Sequence, residues 1–211
     1  MDSEFYRKFS HDILNITGRM QSIASLLDPQ DPPSAEDLAM ARNLINRDSD
    51  KLNTAIRLFC LTQWLGTNPA ADEKDFELSM LLQEVANQYL ETPEKPVLLN
   101  LDTDNAPGRT KCQQDVLRFL LDELVKNAVT HSADSTSVDI HAAVHNGRID
   151  IEISNTPLAP LPEGFSQPLT TRPESPGMGL GLPFALKAAE HLGGTLDLQQ
   201  DDNFVKARLS L

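Results

Sequence analysis

A histidine, an acid and an amide lie within about one turn of the first predicted helix, as His11, Asp12 and Asn15. The imidazole of a histidine can act as a nucleophile or carry a proton, and a neighbouring carboxylate can act as its base. At about 100° per residue, His11 lies about 160° from the centre of the apolar stripe on this helix. The histidine is therefore predicted to face outward, either for chemistry with a partner or as an ordinary solvated side chain.

A second candidate group lies on a helix predicted in the second half of the chain. Glu123, Asn127 and Thr130 share one helical face because they are spaced by four and three residues. An asparagine held on a helix can offer its amide oxygen to hydrated Mg²⁺, which prefers hard oxygen donors beside phosphates. An ordinary amphipathic helix has the same spacing, so this segment alone does not establish a metal site.

A glycine-rich stretch, Gly177-Met178-Gly179-Leu180-Gly181-Leu182, precedes the start of a later predicted helix. Closely spaced glycines let backbone N–H groups approach a phosphate, and the helix N-terminus adds partial positive charge. Just before this stretch, Thr170, Thr171 and Arg172 offer two hydroxyl groups and a cation to the same ligand. The stretch is a candidate phosphate-binding loop, although a flexible turn can have the same composition.

Two long helices are predicted to position His11. Apolar residues recur every three or four positions from Phe5 to Leu27, which predicts a helix from about residue 3 to Leu27, and a proline cluster follows. Ser34 is a predicted N-cap for a second helix that ends near Leu65 and whose apolar stripe is interrupted by Asp48. A helix of about 30 residues is about 45 Å long and is not stable alone. We expect an antiparallel hairpin over residues 1–67, which leaves much apolar surface and therefore forms a four-helix bundle as a homodimer.

The pattern changes after a polar linker at residues 68–75. The remaining part, residues 76–211, is predicted to be an α/β sandwich in which helices cover a mixed sheet, which makes the whole chain an α+β protein. The predicted elements are helices near 79–90, 113–130 and 182–192, a strand at 97–101, a hairpin of strands 138–144 and 149–153 around Asn146-Gly147, a long loop at 155–177, and a final hairpin through 196–209.

The composition excludes several classes of protein. The net charge of −13 argues against nucleic-acid binding, which requires clustered Lys and Arg. Cys60 and Cys112 lie in apolar helical patterns and are expected to be reduced core residues. The chain has no signal-peptide pattern and no apolar run of about 20 residues, so it is predicted to be soluble and cytoplasmic.

In this order and spacing, the motifs resemble the catalytic core of bacterial two-component sensor histidine kinases over essentially the whole chain. His11-Asp12-Ile13-Leu14-Asn15 is similar to the phosphoacceptor box, and Asn127 lies where the family has its Mg²⁺-binding Asn. The run from Leu169 to Leu182, followed by His191-Leu192-Gly193-Gly194, resembles the lid and second glycine box. The resemblance implies a dimerisation and histidine-phosphotransfer hairpin followed by a GHKL-type (Bergerat-type) ATP-binding domain.

The resemblance also implies a reaction. ATP bound with Mg²⁺ would donate its γ-phosphoryl group to His11, and the phosphohistidine would pass it to an Asp on a response-regulator receiver domain. Asp12 would be the general base, while Asn15 or Glu123 could assist. The residues that the resemblance assigns to ATP are Glu123, Asn127, Asn155, Thr170, Thr171, Gly177, Gly179 and Gly181, with Asn127 as the metal ligand.

One element departs from the family pattern. The family has an Asp that receives the adenine amino group, followed by Asn-Gly-x-Gly, whereas this chain reads Ser154-Asn155-Thr156-Pro157-Leu158-Ala159-Pro160. Asn155 can still accept that hydrogen bond through its amide oxygen, without charge assistance. Pro157 and Ala159 replace both glycines and remove backbone freedom.

Two alternatives to the kinase therefore stay open. The first is a stand-alone phosphotransferase that shuttles phosphoryl groups between receiver domains and keeps a degenerate nucleotide domain. The altered 154–160 stretch, together with a chain that begins ten residues before His11 and shows no sensor domain, favours it. The second is a non-catalytic adaptor that docks a receiver domain.

Overall fold

The computed structural model describes residues 3–25, 33–67, 73–89, 95–101, 108–145, 148–161, 163, 179–201 and 203–211. The helices and strands in these ranges are α1 (Ser3–Ser25), α2 (Ala35–Thr67), β1 (Lys74–Glu77), α3 (Leu78–Asn87), β2 (Val97–Leu101), β3 (Arg109–Cys112), α4 (Gln114–His131), β4 (Val138–His145), β5 (Arg148–Asn155), α5 (Gly181–His191), β6 (Thr195–Gln200) and β7 (Val205–Ser210). None of the helices among these residues is long and apolar enough to cross a membrane.

Helices α1 and α2 pack against each other as the predicted hairpin. The α1 stripe is buried at Phe9, Ile16 and Ile23. The second helix begins with a reciprocal cap, in which the backbone N–H of Asp37 donates to Ser34 Oγ at 3.1 Å and that of Ser34 donates to Asp37 Oδ2 at 3.2 Å. The predicted N-cap at Ser34 is therefore confirmed.

Asp48, which interrupts the α2 stripe, lies inside the hairpin and not on its outer surface. Its side chain is only 1% exposed, and Arg19 of α1 donates Nε–H to its Oδ2 at 3.0 Å. Burial raises the pKa of Asp48, but the hydrogen bond and charge of Arg19, with the charges of Arg47 and Lys51, outweigh it and hold the pKa below its ordinary value. An ion pair thus joins the two helices within their apolar seam.

The second half of the chain contains a five-stranded mixed sheet with the order β2-β4-β5-β7-β6, in which β2 and β4 are parallel and the other neighbours are antiparallel. Helices α3, α4 and α5 pack with this sheet around one core. Strand β5 alternates, so that Ile149, Ile151, Ile153 and finally Asn155 are buried on the same face. The predicted α+β fold with a mixed sheet is confirmed.

A small second sheet was not predicted. Strands β1 and β3 pair antiparallel, with Lys74 opposite Cys112, and β1 begins inside the predicted linker at 68–75. Each strand has only four residues and no alternating apolar pattern, so pairing between distant segments is what defines it. The division into residues 1–67, 68–75 and 76–211 otherwise remains a prediction.

The two cysteines differ in their surroundings. Cys112 is half-buried, and burial raises the pKa of its thiol to about 11. Cys60 is exposed, so the expectation of a core residue was wrong for this position. It follows Phe59 by one residue, which turns its side chain by about 100° away from the face that packs.

Helix α5 ends in a Schellman motif that fixes its orientation. Gly193 has φ +78°, a conformation that favours glycine. Its N–H donates to the Glu190 carbonyl at 3.0 Å, and the N–H of Gly194 donates to that of Ala189 at 2.9 Å. The predicted role of these glycines as a helix C-cap is confirmed.

Candidate functional site

His11 is exposed on α1, as its position relative to the stripe predicts. The amide nitrogen of Asn15, one turn further along, lies 3.2 Å from His11 Nδ1 and 3.4 Å from Nε2. Asp12 lies in the same helix, and its side chain is outside the part of the chain that the structure describes. Of the three predicted residues, the structure thus describes an exposed imidazole and the amide that contacts it.

The Asn15 amide can hold the imidazole in two ways. With Nδ2 toward the ring, it donates a hydrogen bond to an unprotonated ring nitrogen. Rotation of the amide by a half-turn places Oδ1 there instead, where it accepts from a ring N–H. In the second arrangement the other ring nitrogen is the unprotonated one, which carries the lone pair that a nucleophile needs.

The contact between α4 and α5 brings three predicted site residues together. A Cβ atom placed on Gly181 would lie 2.6 Å from Glu123 Oε2 and 3.4 Å from Asn127 Nδ2. Any side chain at position 181 would displace the Glu123 carboxylate, so glycine lets the first turn of α5 approach these two side chains this closely. Glu123 and Asn127 are one turn apart on α4. The contact of Gly181 with these two side chains, called the cradle below, joins the predicted helix face to the predicted glycine loop.

The start of α5 presents backbone donors to this cradle. Gly179 has φ +67°, which favours glycine, and turns the chain into the helix. Leu180 precedes the helix and has no side-chain acceptor with which to cap it. The N–H groups of Gly181 and Leu182 are in the first turn, where they lack partners within the helix and suit an anion.

Asn155 ends strand β5 on the face covered by the helices. It is 5% exposed, and its Nδ2 has no hydrogen-bond partner among the described residues. The chain that follows is fastened to the end of α4, where Ala133 N–H donates to the Thr156 carbonyl at 2.9 Å and Leu158 N–H donates to that of His131 at 2.8 Å. The residue that replaces the family's Asp therefore has a fixed backbone and a buried amide donor.

The oxygen donors of Glu123 and Asn127 fit Mg²⁺ only if phosphates of a bound ligand also coordinate the ion. Among the described residues, no group of three or more His, Cys, Asp and Glu side chains could hold a metal ion. The cradle supplies the carboxylate of Glu123 and the amide oxygen of Asn127. Mg²⁺ commonly binds through one or two protein oxygens, several waters and substrate phosphates, which is compatible with such a sparse set.

Other predicted site residues lie elsewhere or outside the described ranges. Thr170, Thr171 and Gly177 lie outside the residues that the structure describes. His11 and Asn15 lie on the helical hairpin, whereas the cradle and Asn155 lie in the second half of the chain. The α2 helix nevertheless packs against α5, so the hairpin and the nucleotide-site candidates share a contact between elements.

Lys95 is a residue near this site that the sequence patterns did not indicate. Its Nζ donates to the Ser132 carbonyl at 2.9 Å and lies 3.5 Å from Asp134 Oδ1. These contacts hold the end of α4, next to the segment that follows Asn155. Lys95 stands between Glu94 and Pro96 in a polar segment, and nothing in that pattern distinguishes it from a solvated lysine.

Comparison with known proteins gives a consistent result. Residues 112–210 match the family model described as Histidine kinase-, DNA gyrase B-, and HSP90-like ATPase. The chain is 24% identical to Sensor histidine kinase GlrK of Escherichia coli (strain K12) over 205 residues, which are 92% of this chain and 43% of that protein. The chain therefore spans less than half the length of this curated relative.

Solved structures share the fold. The Acinetobacter baumannii histidine kinase AdeS is similar with a TM-score of 0.74 and 14% identity, over 95% of this chain and 96% of that one. The histidine kinase ThkA, solved in complex with the response regulator protein TrrA, is similar with a TM-score of 0.78 and 17% identity, over 99% of this chain and 61% of that one.

Proposed function

We propose that this chain, which has a two-component histidine kinase core, transfers the γ-phosphoryl group of ATP to His11 and then to an aspartate of a receiver domain. The observation that supports this most is the contact of Gly181 with Glu123 and Asn127. It joins a helix face suited to Mg²⁺ with a helix start suited to phosphate. The family match over residues 112–210 adds an ATPase-type domain to that geometry.

The nucleotide is held by groups of this chain at three places. The N–H groups of Gly181 and Leu182 and the turn at Gly179 bind the phosphates, with Thr170, Thr171 and Gly177 as further predicted contacts. Asn127 would hold Mg²⁺ through its amide oxygen, with Glu123 beside it, and the ion would supply positive charge against the phosphates. Asn155 contacts the base.

His11 is the acceptor of the phosphoryl group. A lone pair on one ring nitrogen attacks the γ-phosphorus, a P–N bond forms, and the bond from the phosphorus to the ADP oxygen breaks. The proton on the other ring nitrogen passes to the carboxylate of Asp12, the proposed general base. Asn15 positions the ring through the contact at 3.2 Å.

The helical hairpin indicates where two protein partners would bind. Leu38 and Ile56 of α2 are 45% and 46% exposed, and they are 18 residues apart, which places them on the same helical side. We propose that a second copy covers this side in a homodimeric four-helix bundle formed by residues 1–67. A receiver domain would dock beside His11, in keeping with the response-regulator complex of the structurally similar ThkA.

The test is incubation with γ-labelled ATP and Mg²⁺. The label should become attached to the protein in an acid-labile, base-stable form, as expected of a phosphoramidate, and His11→Ala should abolish it. His141→Ala is the matched control because His141 is also exposed but lies on β4. Label that is absent from the wild type, or that persists in His11→Ala, would contradict the proposal.

A second function, phosphotransfer without ATP, is favoured by one observation. Asn155 lacks the charge of the family's Asp, and Pro157 and Ala159 replace two glycines. Under this alternative, label would reach His11 from a phosphorylated receiver domain, while the protein would bind no nucleotide. Nucleotide binding that depends on Asn127 would exclude it.

A further inference from the structure

The buried amide of Asn155 is a feature that the phosphoryl-transfer chemistry does not explain. Its side chain is 5% exposed, and its Nδ2 group has no hydrogen-bond acceptor among the described residues. A buried donor without an acceptor is costly, so it is expected to gain one when a ligand fills the site. The unsatisfied group is a donor, whereas a carboxylate in this position would offer acceptors alone.

Asn155 is also held in place by its backbone. It is the last residue of β5 and lies between Val138 of β4 and Val205 of β7 in the sheet register. The two hydrogen bonds that fasten Thr156 and Leu158 to the end of α4 fix the chain beyond it. The backbone of Asn155 is therefore held in the sheet, and any adjustment to a ligand is left to its side-chain amide.

The chemistry of an amide matches either class of purine. A 6-amino purine presents an N–H donor at position 6 and an acceptor at N1, and Asn can accept from the first through Oδ1 and donate to the second through Nδ2. A 6-oxo purine presents the reverse pair, an acceptor at O6 and a donor at N1–H. Rotation of the amide by a half-turn matches that pair equally well.

We propose that Asn155 makes the nucleotide site accept 6-oxopurine nucleoside triphosphates, such as GTP and ITP, about as well as ATP. In both cases Nδ2 gains the acceptor that it lacks in the structure. A carboxylate at this position can accept from N1–H but has no donor for O6, so a 6-oxopurine placed as adenine is would leave O6 without a partner. The inference depends on the proposed function only because a nucleotide must enter this site.

The experiment measures dissociation constants of the full chain for Mg²⁺ complexes of ATP, GTP and ITP by isothermal titration calorimetry. The three constants should agree within about threefold, and ITP, which lacks the 2-amino group of guanine, separates the contact at O6 from any contact at that group. In Asn155→Asp, ITP should bind at least about tenfold more weakly relative to ATP, because its O6 then lacks a donor; GTP does not enter this comparison because a carboxylate can also accept from its 2-amino group. Asn100→Asp is the matched control because Asn100 is exposed on β2, and its ratios should equal those of the wild type.

The outcomes separate this inference from the proposed function. Wild-type binding of ATP with rejection of GTP and ITP by more than about tenfold overturns the inference and leaves the kinase proposal intact. Binding of all three without label on His11 supports the inference and contradicts the kinase. Absence of binding by any nucleotide overturns both. The wild-type comparison decides the matter even if Asn155→Asp does not fold.

Discussion

The amide of Asn15 lies 3.2 Å from Nδ1 of His11, one helical turn away, and we propose that this contact controls the orientation and tautomer of the ring. When the amide accepts from a ring N–H, the other ring nitrogen is unprotonated and keeps its lone pair. We therefore propose that Asn15 is a positioning residue and not a proton acceptor.

We predict that Asn15→Ala slows labelling of His11 by roughly tenfold, because the ring then samples unproductive orientations. Nucleotide affinity should not change, since Asn15 lies on α1 and the nucleotide contacts lie elsewhere. Rates from a quenched labelling time course check this, with Asn43→Ala, an exposed asparagine on α2, as the control. An unchanged rate in Asn15→Ala would show that its contact with His11 has no role.

Gly181 is proposed to bring the start of α5 close to Glu123 and Asn127. A Cβ atom there would lie 2.6 Å from Glu123 Oε2, so Gly181→Ala must displace the Glu123 side chain. We predict that ATP binds roughly tenfold more weakly, with little loss of thermal stability because the far end of a flexible side chain can move. Calorimetric titration checks the ATP affinity, and a melting curve checks the thermal stability.

Gly18→Ala is the matched control for that substitution. A Cβ atom at Gly18 meets no atom within 4 Å, and the residue is inside α1. Alanine there should leave ATP binding unchanged and stabilise the hairpin by up to about 1 kcal/mol. Equal effects of the two substitutions on ATP affinity would contradict the proposed role of the cradle in binding ATP.

At the scale of elements, the ion pair between Asp48 and Arg19 links α1 to α2 within an apolar seam. The pKa of Asp48 is lower in the folded protein than in the unfolded chain, so its charged form favours folding. That contribution is present above the unfolded pKa of about 3.9 and is lost as the pH falls through the lower, folded pKa.

We predict that Asp48→Asn lowers the free energy of unfolding of the hairpin by roughly 1–3 kcal/mol at pH 7. The difference from the wild type should shrink below about pH 4. Urea unfolding followed by the fluorescence of Trp64, the single tryptophan, which lies in α2, measures both. Asp50→Asn, an exposed neighbour, should change stability by less than about 0.5 kcal/mol, and a difference that persists at low pH would contradict the assignment.

Elements with strong periodicity could be predicted from the sequence, whereas contacts between distant segments could not. The alternation of β5 places position 155 on the face of Ile149, Ile151 and Ile153, so its burial follows from the pattern. The missing partner of its Nδ2 and the contact of Gly181 with Glu123 depend on tertiary packing. The same reason explains why β1 and β3, which are defined by pairing with each other, were missed.

At the scale of the whole molecule, charge opposes the proposed ligand. A net charge of −13 repels ATP at long range, so binding must come from local donors at the start of α5 and from Mg²⁺. Salt screens the long-range repulsion more than the short contacts. The placement of the glycine turn and of Asn127 therefore matters more than any general electrostatic attraction.

Assembly is the second property of the whole molecule. We predict that the chain is a dimer by light scattering after gel filtration and that Ile56→Asp makes it dissociate, because the substitution places a charge on the apolar side of α2. Met80→Asp is the control because Met80 is 63% exposed on α3, outside the hairpin. A monomeric wild type, or equal effects of the two substitutions, would contradict a dimer formed by residues 1–67.

The most direct test of the central claim is to locate the phosphoryl group after reaction with Mg²⁺-ATP. Mass spectrometry under conditions that preserve phosphohistidine should find one modified residue, His11, in the wild type and none in Asn127→Ala. Modification at His11 that persists in Asn127→Ala, or a phosphoryl group on another residue, would contradict transfer from a nucleotide held at the cradle.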